Sequence, residues 1–111
     1  GEELVKQSIF DILTTTVGER PFEVRNGVPY GTRIPFYQFE SAAKVRDLAQ
    51  YEVQQALETW EPRIVVNWVD VTDAAQNGQT DPRFVGIMVN FRFRSTNRTD
   101  NLVVPIPIRG R

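Results

Sequence analysis

A chain of 111 residues is long enough for one domain that buries about two thirds of the surface its unfolded form exposes, and a 41% hydrophobic content supplies a core for it. Thirteen basic against fourteen acidic residues leave a net charge of -1, which removes the electrostatic case for nucleic acid or an anionic membrane. With no cysteine and no histidine, disulfide scaffolds, thiolate nucleophiles, the usual zinc ligand sets and every Ser-His-Asp arrangement are excluded.

No apolar run approaches the ~20 residues of a membrane span, and the start is acidic rather than basic and then apolar. The chain reads as soluble. It opens on Gly1 and its only methionine is Met88, so the natural start is expected to lie upstream.

From Glu2 to Val17, the residues Leu4, Val5, Ile9, Ile12, Leu13 and Val17 fall at three- and four-residue spacing, which predicts a first helix. Gly18 stands where a left-handed residue would end it. Glu19 to Phe39 follows neither period, contains Pro21, Gly27, Pro29, Gly31 and Pro35, and carries Asn26-Gly27 as a tight-turn signal. A connection of this length is functional or holds a short hairpin of its own. Phe22, Tyr30, Phe36, Tyr37 and Phe39 crowd it, and rings in such a loop ordinarily seal it onto the core.

Ser41 is positioned to cap a second helix running to Trp60, with Val45, Leu48, Ala49, Val53, Ala56, Leu57 and Trp60 on one face and the charged residues mostly elsewhere. At Trp60-Glu61-Pro62-Arg63 the helical pattern stops. Proline disfavours the helical region for the residue before it, so Glu61 is expected to be extended, and Glu61 and Arg63 then project to the same side. Two readings of this acid and base follow: a clamp that pins the helix end to the first strand, or a charged contact offered to a partner.

Beyond Arg63 the period becomes two. Ile64, Val66, Trp68 and Asp70 alternate with Val65, Asn67, Val69 and Val71, so both sets are fairly apolar and the strand would lie inside the sheet or beneath a partner. Asp73 to Pro82, with Asn77-Gly78, is a polar turn. Val85, Ile87, Val89, Phe91 and Phe93 form the inward face of a second strand, and Gly86, Met88, Asn90, Arg92 and Arg94 face away. After a polar turn from Ser95 to Asn101, Leu102, Val103, Val104, Ile106 and Ile108 make a third strand. Pro105 and Pro107 alternate within it, which puts it at a sheet edge. The expected architecture is α+β: two helices packed on one face of a mainly antiparallel three-stranded sheet, with a long aromatic-rich loop between the helices, in one domain over residues 1–111.

These residues also carry a resemblance. Gln7-Ser8-Ile9 through Ile12-Leu13-Thr14 into Gly18-Glu19-Arg20-Pro21, then Ala56-Leu57-Glu58-Thr59-Trp60-Glu61-Pro62-Arg63 before alternating strands, is similar to the baseplate wedge family of contractile phage tails and type VI secretion systems. The resemblance implies a structural subunit near the hub, in the tail baseplate or in the host cytoplasm during assembly, with wedge and sheath proteins as partners. It implies that Glu61, Pro62 and Arg63 contact the wedge, that Gly18, Glu19 and Arg20 form a companion turn, and that the strand bearing Leu102, Val103 and Val104 faces the sheath, on which the first sheath ring assembles by strand exchange. It implies no cofactor, no metal, no nucleic acid, no membrane and no small-molecule substrate. The loop from Phe22 to Gly31 is longer than the family pattern, and a leading segment of that pattern is missing.

Two other functions stay open on the sequence. Members of this family are often labelled tail lysozymes, and a glycosidase needs only two carboxylates about 5 to 9.5 Å apart, for which Glu19, Glu58 and Glu61 are the candidates. Arg63 beside Glu61 should lower its pKa, the opposite of what a general acid requires. The other alternative is a regulatory adaptor that reuses the fold for a single soluble partner.

Overall fold

The computed structural model describes residues 1–37, 43–72 and 84–108. In chain order they form α1 (Glu2–Thr14), β1 (Val24–Arg25), β2 (Val28–Pro29), a 3-10 turn (Ile34–Phe36), α2 (Ala43–Trp60), β3 (Ile64–Thr72), β4 (Phe84–Phe93) and β5 (Thr99–Pro107). The cap expected at Ser41, the ring of Phe39 and the turn from Asp73 to Pro82 lie outside the described residues.

The strands of the last third pair antiparallel in the order β3-β4-β5, so β4 is central and the proline-bearing β5 is an edge, as its Pro105 and Pro107 demand. Val85, Ile87, Val89, Phe91 and Phe93 of β4 are all buried, and from β5 Val104 and Ile106 join them. β5 begins earlier than its apolar run. Asn97, at φ 63°, donates to the Phe93 carbonyl at 2.8 Å while the Phe93 N–H donates to Arg98, so a tight loop closes the hairpin and pairing resumes at Thr99.

β3 departs from simple alternation. Val66 pairs with Phe91 but Trp68 with Asn90, which leaves Asn67 as an extra residue in a bulge. The inward set is therefore Ile64 and Val66 before the bulge and Val69 and Val71 after it, and Asn67 and Trp68 are both exposed. The apolar residues in both alternating sets thus record a change of phase, and β3 is the second edge of the sheet rather than an interior strand. On the outer face the Asn67 amide donates to Asn90 at 2.8 Å and Asn90 to Asn101 at 2.7 Å, a side-chain ladder across all three strands.

α2 lies against β3, and α1 against α2 and β5. Val5, Ile9, Ile12 and Leu13 of α1 and Ala49, Val53, Ala56 and Leu57 of α2 share one apolar cluster with the inward strand residues. Each such Ile, Leu, Val or Phe, once fully buried, contributes about 1.5–3 kcal/mol. Leu4 and Leu48, which also fall on the sequence stripes, stay exposed.

α1 ends at Thr14, three residues short of the expected Val17. Thr14, Thr15 and Thr16 are β-branched and poor helix formers, and the Thr14 and Thr15 hydroxyls each return to a carbonyl four residues back at 2.7 Å. Thr15 is extended, and Thr16 then bridges to Thr32 in parallel. Gly18, at φ 103°, consequently serves the turn after that bridge instead of the helix end.

The connection between the helices does hold a hairpin. β1 pairs with β2 around Asn26 and Gly27, both left-handed. Of its rings, Tyr30 is buried and Tyr37 half-buried, whereas Phe22 and Phe36 are exposed. The close approach that fixes this segment is at Gly31, where a Cβ would stand 2.4 Å from the Thr15 carbonyl oxygen and φ is +104°. Gly31→Ala is expected to cost about 2–3 kcal/mol in urea denaturation. Gly18→Ala, at a similar φ but with nothing within 4 Å of the new Cβ, carries the backbone strain alone and should cost about 1 kcal/mol. Equal losses would show that the approach to Thr15 is not what demands glycine.

Candidate functional site

The last turn of α2 closes with the Glu61 N–H on the Leu57 carbonyl at 2.9 Å, and Pro62, which has no N–H, cannot continue the ladder. Glu61 to Ile64 is a turn rather than the extended run expected, with the Ile64 N–H reaching the Glu61 carbonyl at 3.5 Å. The turn still brings Glu61 and Arg63 together. Arg63 Nε and Nη2 donate to the two Glu61 carboxylate oxygens at 2.8 and 2.7 Å, and the Arg63 backbone N–H adds a third bond at 3.1 Å. Ser8, on α1, is near enough to this carboxylate to help keep it ionised.

The two partners differ in exposure. The Glu61 side chain is 1% exposed, whereas that of Arg63 is 55% exposed. Burial pushes the Glu61 carboxyl up, but the bonds from Arg63 and Ser8 outweigh it and hold the group below 4.5. The corner is also tied to the β4–β5 hairpin, since the Arg94 backbone N–H meets the Arg63 carbonyl and Arg94 Nε the Pro62 carbonyl, each at 2.9 Å. Beside it opens a groove of about 580 Å³ lined by Val5, Pro62, Arg63, Phe93 and Arg94.

The companion turn is built separately. Gly18 is left-handed, and Glu19 accepts from the Thr16 backbone N–H while its own N–H returns to the Thr16 carbonyl. Arg20 pairs with Asp11 at 3.1 Å and lies 4.3 Å from the Tyr30 ring centre, and the Tyr30 hydroxyl donates to the same Asp11 carboxylate. Burial, then that bond to Asp11, raises the Tyr30 pKa above its ordinary value. Tyr30 meets Trp60 edge-on with ring centres 5.1 Å apart, and Trp60 immediately precedes Glu61. Neither Glu19 nor Arg20 bonds to the Glu61–Arg63 pair. They adjoin it through the two rings.

Of Leu102, Val103 and Val104 in β5, Val104 is buried, Leu102 is half-buried against the core and Val103 presents its side chain outward, at 56% exposed. A surface network joins this strand to α1: Lys6 pairs with Asp100 at 2.7 Å, and Arg98 binds Asp100 at 3.1 Å and also Glu2. The bond from Lys6 comes first among the causes that hold the Asp100 carboxyl at about 2. Among the described residues no group of three or more acidic side chains could hold a metal ion, and no helix is long and apolar enough to cross a membrane.

The family model described as baseplate wedge protein gp25 matches residues 1–98. The chain belongs to this baseplate wedge family. It is also similar to a solved structure, the crystal structure of a Geobacter sulfurreducens protein provisionally described as a tail lysozyme: identity is 32%, the TM-score is 0.76, and 97% of this chain and 91% of that one are covered. No curated protein sequence matches the chain.

In this baseplate wedge chain the three glutamates considered for glycoside chemistry stand in unlike settings. Glu61 is buried and kept ionised, so it holds no proton to give a leaving group at neutral pH. Glu58 is exposed and accepts from Gln54 at 3.1 Å. Glu19 is occupied by the Thr16 N–H.

Sequence reasoning gave Ser8 and Asp11 no role of their own and Tyr30 only that of a ring sealing the loop, yet Asp11 and Tyr30 hold the companion turn and Ser8 lies by Glu61. The available signal was the placement of Ser8 and Asp11, polar residues set against the Ile9 and Ile12 stripe of α1.

Because the Glu61 pKa is lower folded than unfolded, its contribution is fully present above 4.5 and is lost as pH falls through the folded value; Asp100 follows at more acid pH. The melting temperature should therefore be flat from neutral pH to about pH 5 and decline below it. Glu61→Gln is expected to flatten the first part of that decline and to lower stability at neutral pH by about 2 kcal/mol. An unchanged acid profile in the variant would remove Glu61 from the account.

Proposed function

We propose that this chain is a structural subunit of the baseplate of a contractile tail or injection machine, which joins wedge and hub to the sheath and templates the first sheath ring. Family membership supports the baseplate role in general. The finer reading rests on one observation: Arg63 holds the buried Glu61 with Nε and Nη2 yet keeps more than half of its side chain in solvent, on a turn fixed at both ends. A guanidinium held in place by its own acid offers its remaining donors to a partner with little further ordering cost. Pro62, also exposed, adds a rigid apolar contact next to it. We assign Glu61, Pro62 and Arg63 to the wedge contact, with Gly18, Glu19 and Arg20 as the companion turn.

Arg63→Lys keeps a cation beside Glu61 but removes the fork. With wedge proteins as bait, capture of the variant should fall at least about tenfold at a temperature where circular dichroism shows it folded. Capture equal to that of the native chain, from a folded variant, would overturn the assignment of the corner.

A second reading takes its support from the description of the Geobacter sulfurreducens neighbour as a tail lysozyme. The depressed pKa of Glu61 speaks against it, and so does the setting of Glu19. Purified chain is expected to release no soluble sugar from peptidoglycan. Release that disappears in Glu19→Gln or Glu58→Gln would establish the glycosidase instead.

A further inference from the structure

We propose that the outer edge of β3, which no described strand covers, receives an extended strand from a partner chain at Val69 to Val71, and that the outer edge of β5 is closed to one. This rests on the assembly reading above and adds where on the sheet the strand goes, in place of the β5 residues Leu102, Val103 and Val104. In an antiparallel ladder alternate residues turn their N–H and C=O groups to one neighbour and the rest to the other side. Which set goes where can be read from the bonds at the hairpin ends.

The Phe93 N–H bonds to the Arg98 carbonyl, so the β4–β5 bonds run through the pairs in phase with it: Phe91 with Asp100, Val89 with Leu102, Ile87 with Val104 and Val85 with Ile106. Thr99, Asn101, Val103, Pro105 and Pro107 then aim their backbone groups at the open side. Two of these are prolines without a donor, and the Asn101 N–H is already given to the Asp100 carboxylate at 2.8 Å. Thr99 and Val103 alone keep donors there. They are too sparse to hold a ladder.

β3 has the opposite phase. The Arg94 N–H bonds to the Arg63 carbonyl, which sets Val65, Trp68 and Asp70 to bond β4 and turns Ile64, Val66, Val69 and Val71 to the open side. The Ile64 N–H returns to Glu61, and the bulge at Asn67 separates Val66 from the rest. Val69 and Val71 present donors and acceptors that, among the described residues, carry neither proline nor a side-chain cap.

The side chains specify what the incoming strand must bring. Val69 faces the core side but is only half-buried, while Val66 and Val71 on that side are buried, so an apolar residue from outside completes its cover. On the outer face Asp70 is exposed and has no partner among the described residues, and Trp68 beside it is 46% exposed. An apolar-basic-apolar strand fits: its cation sits beside Asp70, with the aliphatic stem along the Trp68 ring.

The test uses the intact isotope-labelled chain mixed with the sheath subunit of the same assembly, with amide exchange followed residue by residue. The Val69 and Val71 amides should slow at least about tenfold on binding while Thr99 and Val103 stay as they were. Asp70→Lys, a surface change whose melting curve checks folding, should weaken binding at least about tenfold at low salt, and Asp70→Asn less. Binding that protects Thr99 and Val103, or leaves Val69 and Val71 exchanging freely, overturns the edge assignment and leaves the assembly reading standing. Native affinity in Asp70→Lys overturns the proposed partner chemistry. Absence of any binding overturns both the edge and the assembly reading. Protection of Val69 and Val71 that rises with the concentration of the labelled chain alone gives the edge to a second copy and so overturns the proposal.

Discussion

A carboxylate at the junction of helix and sheet, removed from water and answered by a guanidinium and a backbone N–H, is the interaction on which the arrangement of this protein depends. Burying an ionised Glu61 without partners would cost several kcal/mol. Arg63 offsets that cost from within the same turn, with its fork on both carboxylate oxygens and its backbone N–H beside them, and Arg94 holds the turn against the β4–β5 hairpin. The turn so held fixes how the end of α2 meets the β4–β5 hairpin. It also orients Arg63, which keeps more than half of its side chain in solvent.

The same end of the molecule carries a second, aromatic layer. Asp11 receives both Arg20 and the Tyr30 hydroxyl, Tyr30 stands edge-on to Trp60, and Trp60 donates to the Val28 carbonyl at 3.2 Å while the Arg25 guanidinium lies 4.5 Å from its ring centre. The β1–β2 hairpin and the turn after α1 are thereby fastened to the last turn of α2. The two triplets that resemble the family pattern are linked through Tyr30 and Trp60 without touching. Each is held by residues that hydropathy alone marks as unremarkable.

Much of this was legible in the sequence, and the reason is periodicity. Ile9, Ile12 and Leu13, and later Val85 through Phe93, repeat at the spacing of the element they occupy, and every one of them is in the core. The prolines of β5 likewise announced an edge, because a missing donor has one tolerable place in a sheet. Two kinds of feature escaped. One is a local change of phase: the bulge at Asn67 leaves the composition of β3 unchanged while reversing which residues point inward, and the threonine run after α1 ends a helix whose stripe continues to Val17. The other is depth. The sequence put Glu61 and Arg63 side by side, but how deep each lies depends on the hairpin at Arg94, which is remote in the chain.

The difference between the two borders of the sheet has a consequence for how copies of this molecule behave when crowded. A sheet open on both sides can be joined head to tail by its own kind, and nothing then limits the length of the ribbon. Here Pro105, Pro107 and the occupied Asn101 amide take away the donors that a neighbouring copy's β3 would require. With donors left only at Thr99 and Val103, that border is a poor place for a second copy to add its β3, which works against end-to-end growth.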